Sequence, residues 1–212
     1  MTAQFDLLRP WDSLDPWQKE YIFNTDPNQN CFLLTGRQVG KTTGMSLKSV
    51  ELCLNHYKEG ENILINALTE RQANIILSKA LAYAETKYPG KIASGKDKPT
   101  QHKVIFKKGN GIYCYAAGER GESGRGGTWK KIMIDEASRL GEEYFVSTLP
   151  MISVSGGSID AASTPAGKQG YFHKFSEDPS FKKFYVSAED CPRHTKEFLL
   201  SKFKLETLQD LV

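Results

Sequence analysis

The chain has 212 residues, and its 28 basic and 25 acidic side chains leave a formal net charge of +3. So balanced a charge gives no overall attraction for nucleic acid, and any such contact must come from a local cluster. The N-terminus is polar and no apolar run approaches the ~18 residues of a membrane span, so no membrane-spanning segment and no membrane partner are predicted. The four cysteines lack the spacing of a metal site and are predicted to be reduced.

Apolar runs and helical patterns alternate along the chain, which predicts a single α/β domain. Asp15 followed by Pro16 predicts the start of the first helix. The predicted elements are, in chain order, a helix within residues 11–24, a strand at 31–35, a helix at 41–57, a strand at 61–68, a helix at 69–88, a hairpin of strands at 103–107 and 112–116, a strand ending at 135, a helix at 142–149, strands at 157–163 and 181–187, and a helix at 194–211. Strands joined through helices predict a mainly parallel sheet, and ligands bind at the carboxyl ends of such strands.

A glycine-bounded loop links the first predicted strand to the helix that follows it. The loop delivers Lys41, Thr42 and Thr43 to the start of that helix, as a phosphate-binding loop does. Its backbone N–H groups would wrap the phosphates of ATP, Lys41 would reach the β- and γ-phosphate oxygens, and the Thr42 hydroxyl would ligate Mg²⁺. Thr35 stands where the usual pattern has its first glycine, and Gly36 follows one position later. The predicted nucleotide-binding residues of the loop are Thr35, Gly36, Arg37, Gln38, Val39, Gly40, Lys41, Thr42 and Thr43.

Two adjacent carboxylates, Asp135 and Glu136, end an apolar strand further along the chain. At the end of a strand both can reach a nucleotide bound at the same edge of the sheet. Asp135 is predicted to hold Mg²⁺ with its water shell, and Glu136 to orient and deprotonate the attacking water. The alternative interpretations are a solvated strand end here and, for the loop, an ordinary strand-to-helix turn with an exposed lysine.

The order of these features resembles the ATPase domain of the large terminase subunit of tailed double-stranded DNA bacteriophages. The resemblance spans roughly residues 14–190 and is carried by a Gln after Pro-Trp, the loop with an internal Arg, the run Gly124-Arg125-Gly126, Ile-Asp-Glu-Ala, and Ser163-Thr164-Pro165. It implies a three-layer P-loop NTPase of the RecA-like, additional-strand conserved-Glu type, with a mainly parallel central sheet flanked by helices.

The resemblance also implies roles for individual side chains. Gln18 matches a glutamine that recognises adenine, with a solvated helix position as its alternative. Arg37 matches a loop arginine beside the γ-phosphate, and Arg125 matches an arginine that a neighbouring subunit inserts, with Arg120 as the rival position. Ser163 and Thr164 match the coupling position, where a polar side chain senses the γ-phosphate.

The function implied by the resemblance is an ATP- and Mg²⁺-dependent motor that moves double-stranded DNA into a viral procapsid. Its expected partners are the DNA, a portal protein and a small terminase subunit. The resemblance implies that the assembled protein forms a homo-oligomeric ring of five subunits. The isolated chain is expected to be a monomer. Its expected place is the host cytoplasm, transiently docked on the procapsid. Residues 1–190 would form the motor domain, and residues 191–212 a helix or linker toward a nuclease domain that is absent here, so no nuclease activity is expected.

Two other functions fit parts of the pattern. A helicase or remodelling ATPase of the same superfamily would need a second motor domain to grip its strand. A nucleotide-binding assembly scaffold with little turnover would lack a catalytic carboxylate, whereas Glu136 is present. For DNA, the best candidate surface is a lysine cluster that comprises Lys91, Lys96, Lys98, Lys103, Lys107 and Lys108, whose alternative is a solvated loop.

Overall fold

A computed structural model describes residues 13–118 and 127–191 of the protein. Its helices are α1 (Pro16–Phe23), α2 (Lys41–Glu51), α3 (Glu70–Lys87), α4 (Glu142–Thr148) and α5 (Gly170–Glu177). Its strands are β1 (Asn30–Thr35), β2 (Asn62–Ala67), β3 (Lys103–Ile105), β4 (Gly111–Ala116), β5 (Trp129–Asp135), β6 (Ser158–Ser163) and β7 (Phe181–Val186). The helix predicted at 194–211 lies outside the described residues.

The seven strands form one sheet in the order β3-β4-β2-β5-β6-β1-β7. All neighbouring pairs are parallel except β3 with β4, which are antiparallel. Strand β6 therefore lies between β1, which leads into the glycine-bounded loop, and β5, which ends in the carboxylates. Its register sets Leu34 of β1 opposite Ser163, and Asp135 of β5 opposite Ala162. The ends of all three strands meet at one edge of the sheet, and the mainly parallel α/β sheet predicted from the sequence is confirmed.

The sheet has helices on both faces because successive side chains of each strand point in opposite directions. Along β1, Cys31 and Leu33 belong to the apolar cluster that contains α1, α2 and α3 side chains. Phe32, between them, belongs to the cluster that contains α4 and α5 side chains. The result is the three-layer arrangement that the family resemblance implied.

The helix after the loop is shorter than the sequence predicted. Regular α-helix ends at Glu51, and Leu52–His56 forms a π-helical turn, with the N–H of Tyr57 bonded to the carbonyl oxygen of Leu52 at 2.8 Å. The Asn110 side chain explains why this turn is kept, because its amide nitrogen donates to the carbonyl oxygen of Cys53 at 2.7 Å. In the β3–β4 turn, the N–H of Phe106 donates to the carbonyl oxygen of Asn110 and the N–H of Gly109 donates to that of Phe106, each at 2.9 Å. Strand β3 accordingly stops at Ile105 and not at 107.

Helix α5 was not predicted from the sequence. It is short, it follows a Pro- and Gly-containing segment, and it begins at Gly170 with a positive φ of 70°. Phe172 and Phe175 are buried in the sheet face that also buries Phe181. Packing against the sheet therefore stabilises a helix whose local signals are weak. All four cysteines are buried and none of them forms a disulfide, in agreement with the prediction that they are reduced. Within the described ranges, no helix has the length and apolar character that a membrane crossing needs.

Candidate nucleotide-binding and hydrolysis site

The glycine-bounded loop is anchored at both ends. At its start, the N–H of Gly36 donates to the carbonyl oxygen of Val186 on β7 at 2.7 Å. At its centre, Val39 is fully buried and packs with Val186 and Cys191. At its end, Gly40 takes the left-handed conformation, with φ at 91°, and α2 begins at the next residue. These contacts fix the loop at the edge of the sheet. The first N–H groups of α2, which lack partners within a helix, lie at the same place.

Lys41 lies against both predicted carboxylates. Its Nζ atom is 2.8 Å from Oε1 of Glu136 and 3.2 Å from Oδ1 of Asp135. The hydroxyl of Thr42 donates to Oδ2 of Asp135 at 3.4 Å. The structure thus brings the loop and the carboxylate strand together, as the sequence predicted.

Two residues at this site have a strained backbone. Among the described residues, Gln38 and Glu136 are the non-glycine residues with positive φ, at 61° and 57°. Such conformations cost ~1 kcal/mol or more and collect at functional sites. One lies in the loop and the other at the end of the carboxylate strand, so both halves of the site carry this strain.

The two carboxylates differ in environment. Asp135 is almost fully buried, and burial raises its pKa above the usual carboxyl value, an effect opposed by the Lys41 ammonium. Glu136 is half-buried, and its Oε2 atom has no hydrogen-bond partner among the described residues. The Arg139 guanidinium lies beside Oε2, with its Nε atom at 3.6 Å. One oxygen of Glu136 is therefore held by Lys41, while the other is available to a further donor.

The predicted coupling residues, Ser163 and Thr164, lie beside the segment that follows Glu136 at the end of β5. The hydroxyl of Ser138 is 2.6 Å from that of Ser163, and it also donates to the carbonyl oxygen of Thr164 at 3.2 Å. Ser138 was not singled out from the sequence, although its place two residues after Glu136 was visible. It joins the loop that carries Glu136 to the end of β6.

Gln18 has a contact that the sequence did not predict. The residue is fully buried, its Oε1 accepts from the backbone N–H of Asp15 at 2.9 Å, and its Nε2 donates to the carbonyl oxygen of Gly40 at 3.0 Å. The amide thus links the start of α1 to the glycine-bounded loop. Whether it also recognises adenine stays a prediction.

The remaining predicted residues are placed as follows. Arg37 and Gln38 are exposed at the tip of the loop. Thr43, in the first turn of α2, accepts a hydrogen bond from Nζ of Lys79 on α3 at 2.8 Å. Arg125, with its rival Arg120, lies outside the described residues.

The residues present fit a magnesium–nucleotide complex. Mg²⁺ takes oxygen ligands, and the Thr42 hydroxyl and Asp135 carboxylate already stand next to each other. Thr35, at the root of the loop, contributes a buried hydroxyl oxygen without a hydrogen-bond partner among the described residues. Lys41 supplies the positive charge that a phosphate chain requires.

A buried ion cluster lies on the α1–α3 face, below the end of β6, and the sequence analysis missed it. The Asp160 carboxylate accepts from Lys48 of α2 and Lys131 of β5, each at 2.9 Å, and from the Tyr21 hydroxyl of α1 at 2.8 Å. All four side chains are fully buried. Burial alone would raise the pKa of Asp160, but the two ammonium groups lower it to about 2. One carboxylate therefore links the helix that follows the loop to both strands that carry the rest of the site.

Comparison with known proteins agrees with this geometry. The model of the family described as terminase large subunit, T4likevirus-type, N-terminal matches residues 32–208, while no curated protein matches. Among solved structures, the large terminase ATPase domain of Thermus phage P74-26 is similar with a TM-score of 0.69 and 19% identity, over 90% of this chain and 88% of that chain. The large terminase of the thermophilic bacteriophage D6E in complex with ADP gives 0.71 and 15%, over 90% and 49%. The large terminase of bacteriophage HK97 gives 0.65 and 16%, over 94% and 46%.

At these identities the structural similarity shows the fold, which is the RecA-like P-loop fold of terminase ATPase domains. The chain spans about half the length of the D6E and HK97 terminases. The family match covers most of the chain and includes both the glycine-bounded loop and the strand that ends at Asp135. The chain therefore belongs to the N-terminal family of T4likevirus-type large terminase subunits.

Proposed function

We propose that this chain is the ATP-hydrolysing motor domain of a viral DNA-packaging terminase, which couples hydrolysis to the movement of double-stranded DNA into a procapsid. The observation that carries the proposal is the meeting of Lys41 with Asp135 and Glu136 at 3.2 Å and 2.8 Å. Phosphoryl transfer needs a cation at the phosphates, an oxygen site for the metal and a base for water. These three groups supply all three requirements.

The chemistry divides among the residues by position. Lys41 and the loop N–H groups would hold the phosphate chain, while Thr42 and Asp135 would hold Mg²⁺. When bound, Mg²⁺ neutralises charge on the phosphate oxygens. Glu136 would orient the attacking water and take its proton, and Oε2 is suited to this because Lys41 occupies Oε1.

The arginines would complete the charge balance. Arg37 at the loop tip would lie beside the γ-phosphate of its own subunit, and its exposure leaves it free to swing toward that position. Arg125 would act from the neighbouring subunit of a ring, where such an arginine contributes ~10³–10⁵ in rate.

Coupling would pass through Ser138. Its hydroxyl lies between the Glu136 loop and Ser163 with Thr164, so a displacement of one reaches the other through two hydrogen bonds. This contact supports the coupling role that the family resemblance implies for Ser163 and Thr164 at the end of β6.

The wider assignment rests on family membership. The motor domain would occupy residues 1–190, with residues 191–212 as a helix or linker toward a nuclease domain. It would work as a ring of five subunits with the portal protein and the small terminase subunit, on the procapsid in the host cytoplasm. A helicase of the same superfamily shares the fold, so the fold alone does not separate the two functions.

The test is a packaging assay with procapsids, portal and DNA, in which protection of DNA from nuclease is measured beside phosphate release. The full-length subunit and its Glu136→Gln variant are compared, because the amide keeps the shape of the carboxylate but cannot take a proton. We expect the variant to bind ATP, release almost no phosphate and protect no DNA. Parental hydrolysis by the variant would remove Glu136 from the mechanism. Hydrolysis without any DNA protection by the parent would favour another ATPase function.

A further inference from the structure

Gln18 lies between the start of α1 and the glycine-bounded loop. Its side chain is fully buried, although glutamine is a residue that mostly lies at protein surfaces. Its Oε1 atom accepts from the N–H of Asp15 at 2.9 Å, and its Nε2 atom donates to the carbonyl oxygen of Gly40 at 3.0 Å. These partners fix which end of the amide is oxygen, because an N–H needs an acceptor and a carbonyl needs a donor. Both ends of the amide are therefore bonded to the backbone of the protein itself.

The first of these two contacts is a common feature of helix starts, and the second is not. Gln72 makes the same kind of capping box at the start of α3, where its Oε1 atom accepts from the N–H of Thr69 at 3.1 Å. A capping box explains why a glutamine stands three residues after the N-cap of α1. It does not explain the contact of Nε2 with Gly40, a loop residue 22 positions further along the chain.

The carbonyl group of Gly40 belongs to the peptide unit that begins α2. The unit is planar and trans, so this carbonyl and the N–H of Lys41 point in opposite directions. Gly40 has a φ of 91°, and without a side chain its peptide units rotate at low cost. Two donors hold the carbonyl oxygen, Nε2 of Gln18 and the N–H of Gly44, each at 3.0 Å. Gln18 therefore restricts the direction in which the N–H of Lys41 points.

The position of Gln18 is fixed by the packing of α1 on α2. A Cβ atom added at Gly44 of α2 would lie 3.4 Å from the ring of Tyr21 and 3.7 Å from that of Trp17, so the two helices approach closely. The Tyr21 hydroxyl also donates to the buried Asp160 carboxylate at 2.8 Å. The helix that carries Gln18 is thus tied both to α2 and to the sheet.

The first N–H groups of α2, including that of Lys41, are the groups expected to bind the phosphates of a nucleotide. We propose that Gln18 is a positioning residue, which holds the peptide between Gly40 and Lys41 in the orientation that phosphate binding needs and does not select the base. The inference rests on the proposed nucleotide binding. It differs from the adenine recognition that the family resemblance implies. The amide is fully buried and bonded to Asp15 and Gly40, so a base would have to displace these contacts to reach it.

The test compares ligands that share a phosphate chain but differ in the base. Binding of ATP, GTP and inorganic tripolyphosphate, each with Mg²⁺, is measured by titration calorimetry for the parent, Gln18→Met and Gln18→Asn. Methionine has a similar length but makes neither hydrogen bond. Asparagine keeps the amide on a side chain that is one methylene shorter and cannot span both contacts, and it carries the test if Gln18→Met does not fold. Gln72→Met is the matched control, because it breaks a capping box of the same kind on α3.

We expect both Gln18 variants to bind all three ligands more weakly by the same factor, about fivefold, as the loss of one hydrogen bond predicts. Gln72→Met should lower the melting temperature without changing any of the three affinities. This combination would separate the positioning of the loop from the general stabilisation of a helix start.

Three results would overturn the inference. A loss confined to ATP would show that Gln18 recognises adenine. Unchanged affinities in the Gln18 variants would show that the residue only stabilises the start of α1. An equal loss of affinity in Gln72→Met would mean a general effect of destabilisation. A parent that bound none of the three ligands would contradict the proposed function itself, whereas any of the first three results with a parent that binds ATP would reject only the role of Gln18.

Discussion

The ammonium group of Lys41 lies 2.8 Å from a carboxylate oxygen of Glu136, 95 positions further along the chain. The lysine that is expected to bind phosphate and the expected base are thus direct neighbours. This pair is possible because β6 is inserted between β1 and β5, which spaces the two strand ends by the width of one strand.

Replacing Lys41 by alanine should remove both nucleotide affinity and hydrolysis. The change deletes the buried cation of the loop, so Asp135 and Glu136 both lose the lysine between them, and Glu136 keeps the Arg139 guanidinium at 3.6 Å. A charge-assisted hydrogen bond contributes about 1.5–3 kcal/mol, so ATP affinity should fall by at least about tenfold. Calorimetric titration with ATP checks this, and a Lys41→Ala protein that binds as tightly as the parent would refute it.

Arg37 and Arg125 should differ in how their loss depends on assembly. Arg37 belongs to the loop itself, so Arg37→Ala should lower hydrolysis even in dilute monomer. Arg125→Ala should leave ATP binding by the monomer intact and abolish the hydrolysis that assembly stimulates. Steady-state phosphate release over a range of protein concentrations measures both.

Mixed rings provide the control for Arg125. Arg125→Ala subunits keep their base and Glu136→Gln subunits keep their arginine, so some interfaces of a mixed ring would contain a complete site. Recovered hydrolysis supports action from the neighbouring subunit. Absence of recovery at every ratio, with co-assembly demonstrated, would assign Arg125 to its own subunit.

Removing the Ser138 hydroxyl should reduce turnover more than binding. Ser138→Ala breaks the contacts with Ser163 and Thr164 but leaves Lys41 and Thr42 untouched. We expect kcat to fall by about fivefold or more while KM changes little. Ser138→Thr keeps a hydroxyl and should recover part of the rate, and Ser138→Ala with Ser163→Ala should be no worse than either single variant. Fully additive losses would argue against a shared contact.

Replacing Asp160 by asparagine should strongly destabilise the protein. The carboxylate balances two buried ammonium groups, Lys48 and Lys131, and the variant leaves both without a counter-charge. Breaking a buried ion pair in this way costs about 3–5 kcal/mol of unfolding free energy. Urea denaturation measures the change, with Asp97→Asn as a control outside the cluster. A loss below about 1 kcal/mol would mean that the cluster relaxes without Asp160.

The same carboxylate predicts that the free energy of unfolding falls at low pH. The folded pKa of Asp160, about 2, lies below the usual unfolded value, so its stabilising contribution is complete above pH ~4 and disappears as the pH falls toward 2. The unfolding free energy of the parent should fall across this window. In an Asp160→Asn protein, the part of this pH dependence that Asp160 contributes should be missing. An unchanged dependence of the unfolding free energy on pH would assign the loss of stability in acid to other groups.

The lysine cluster provides a test of the DNA surface. Lys96 and Lys98 are exposed and Lys103 is half-buried, along the outer edge of the sheet beside β3. If this edge contacts DNA, replacing these three residues by Glu should weaken duplex binding for all sequences alike, and the dependence of affinity on salt should become less steep. Filter binding at several salt concentrations measures this. Unchanged binding by the triple variant would move the DNA surface elsewhere.

Local patterns in the sequence were sufficient for much of the fold. The Lys41-Thr42 pair after glycine, the apolar strand before Asp135 and the Thr69 start of a long helix each depend on neighbours a few positions away. Such local signals can be recognised without knowledge of tertiary contacts. The strand order, the inserted β6 and helix α5 depend on how the sheet is assembled, and no local pattern encodes them.

The sequence by itself predicted the candidate chemistry of this protein, because a lysine and a threonine after a glycine-bounded loop, and two carboxylates at the end of an apolar strand, are local patterns typical of ATP-hydrolysing P-loop proteins. Only the tertiary structure decided which other side chains contact the lysine, the threonine and the two carboxylates. Ser138 and Asp160 are a common serine and aspartate in the sequence. They become notable because parallel pairing and helix packing bring Ser163 and two buried lysines within hydrogen-bond distance of them. Contacts between residues distant in the chain are set by the register of strands and the packing of helices, which are properties of the whole fold.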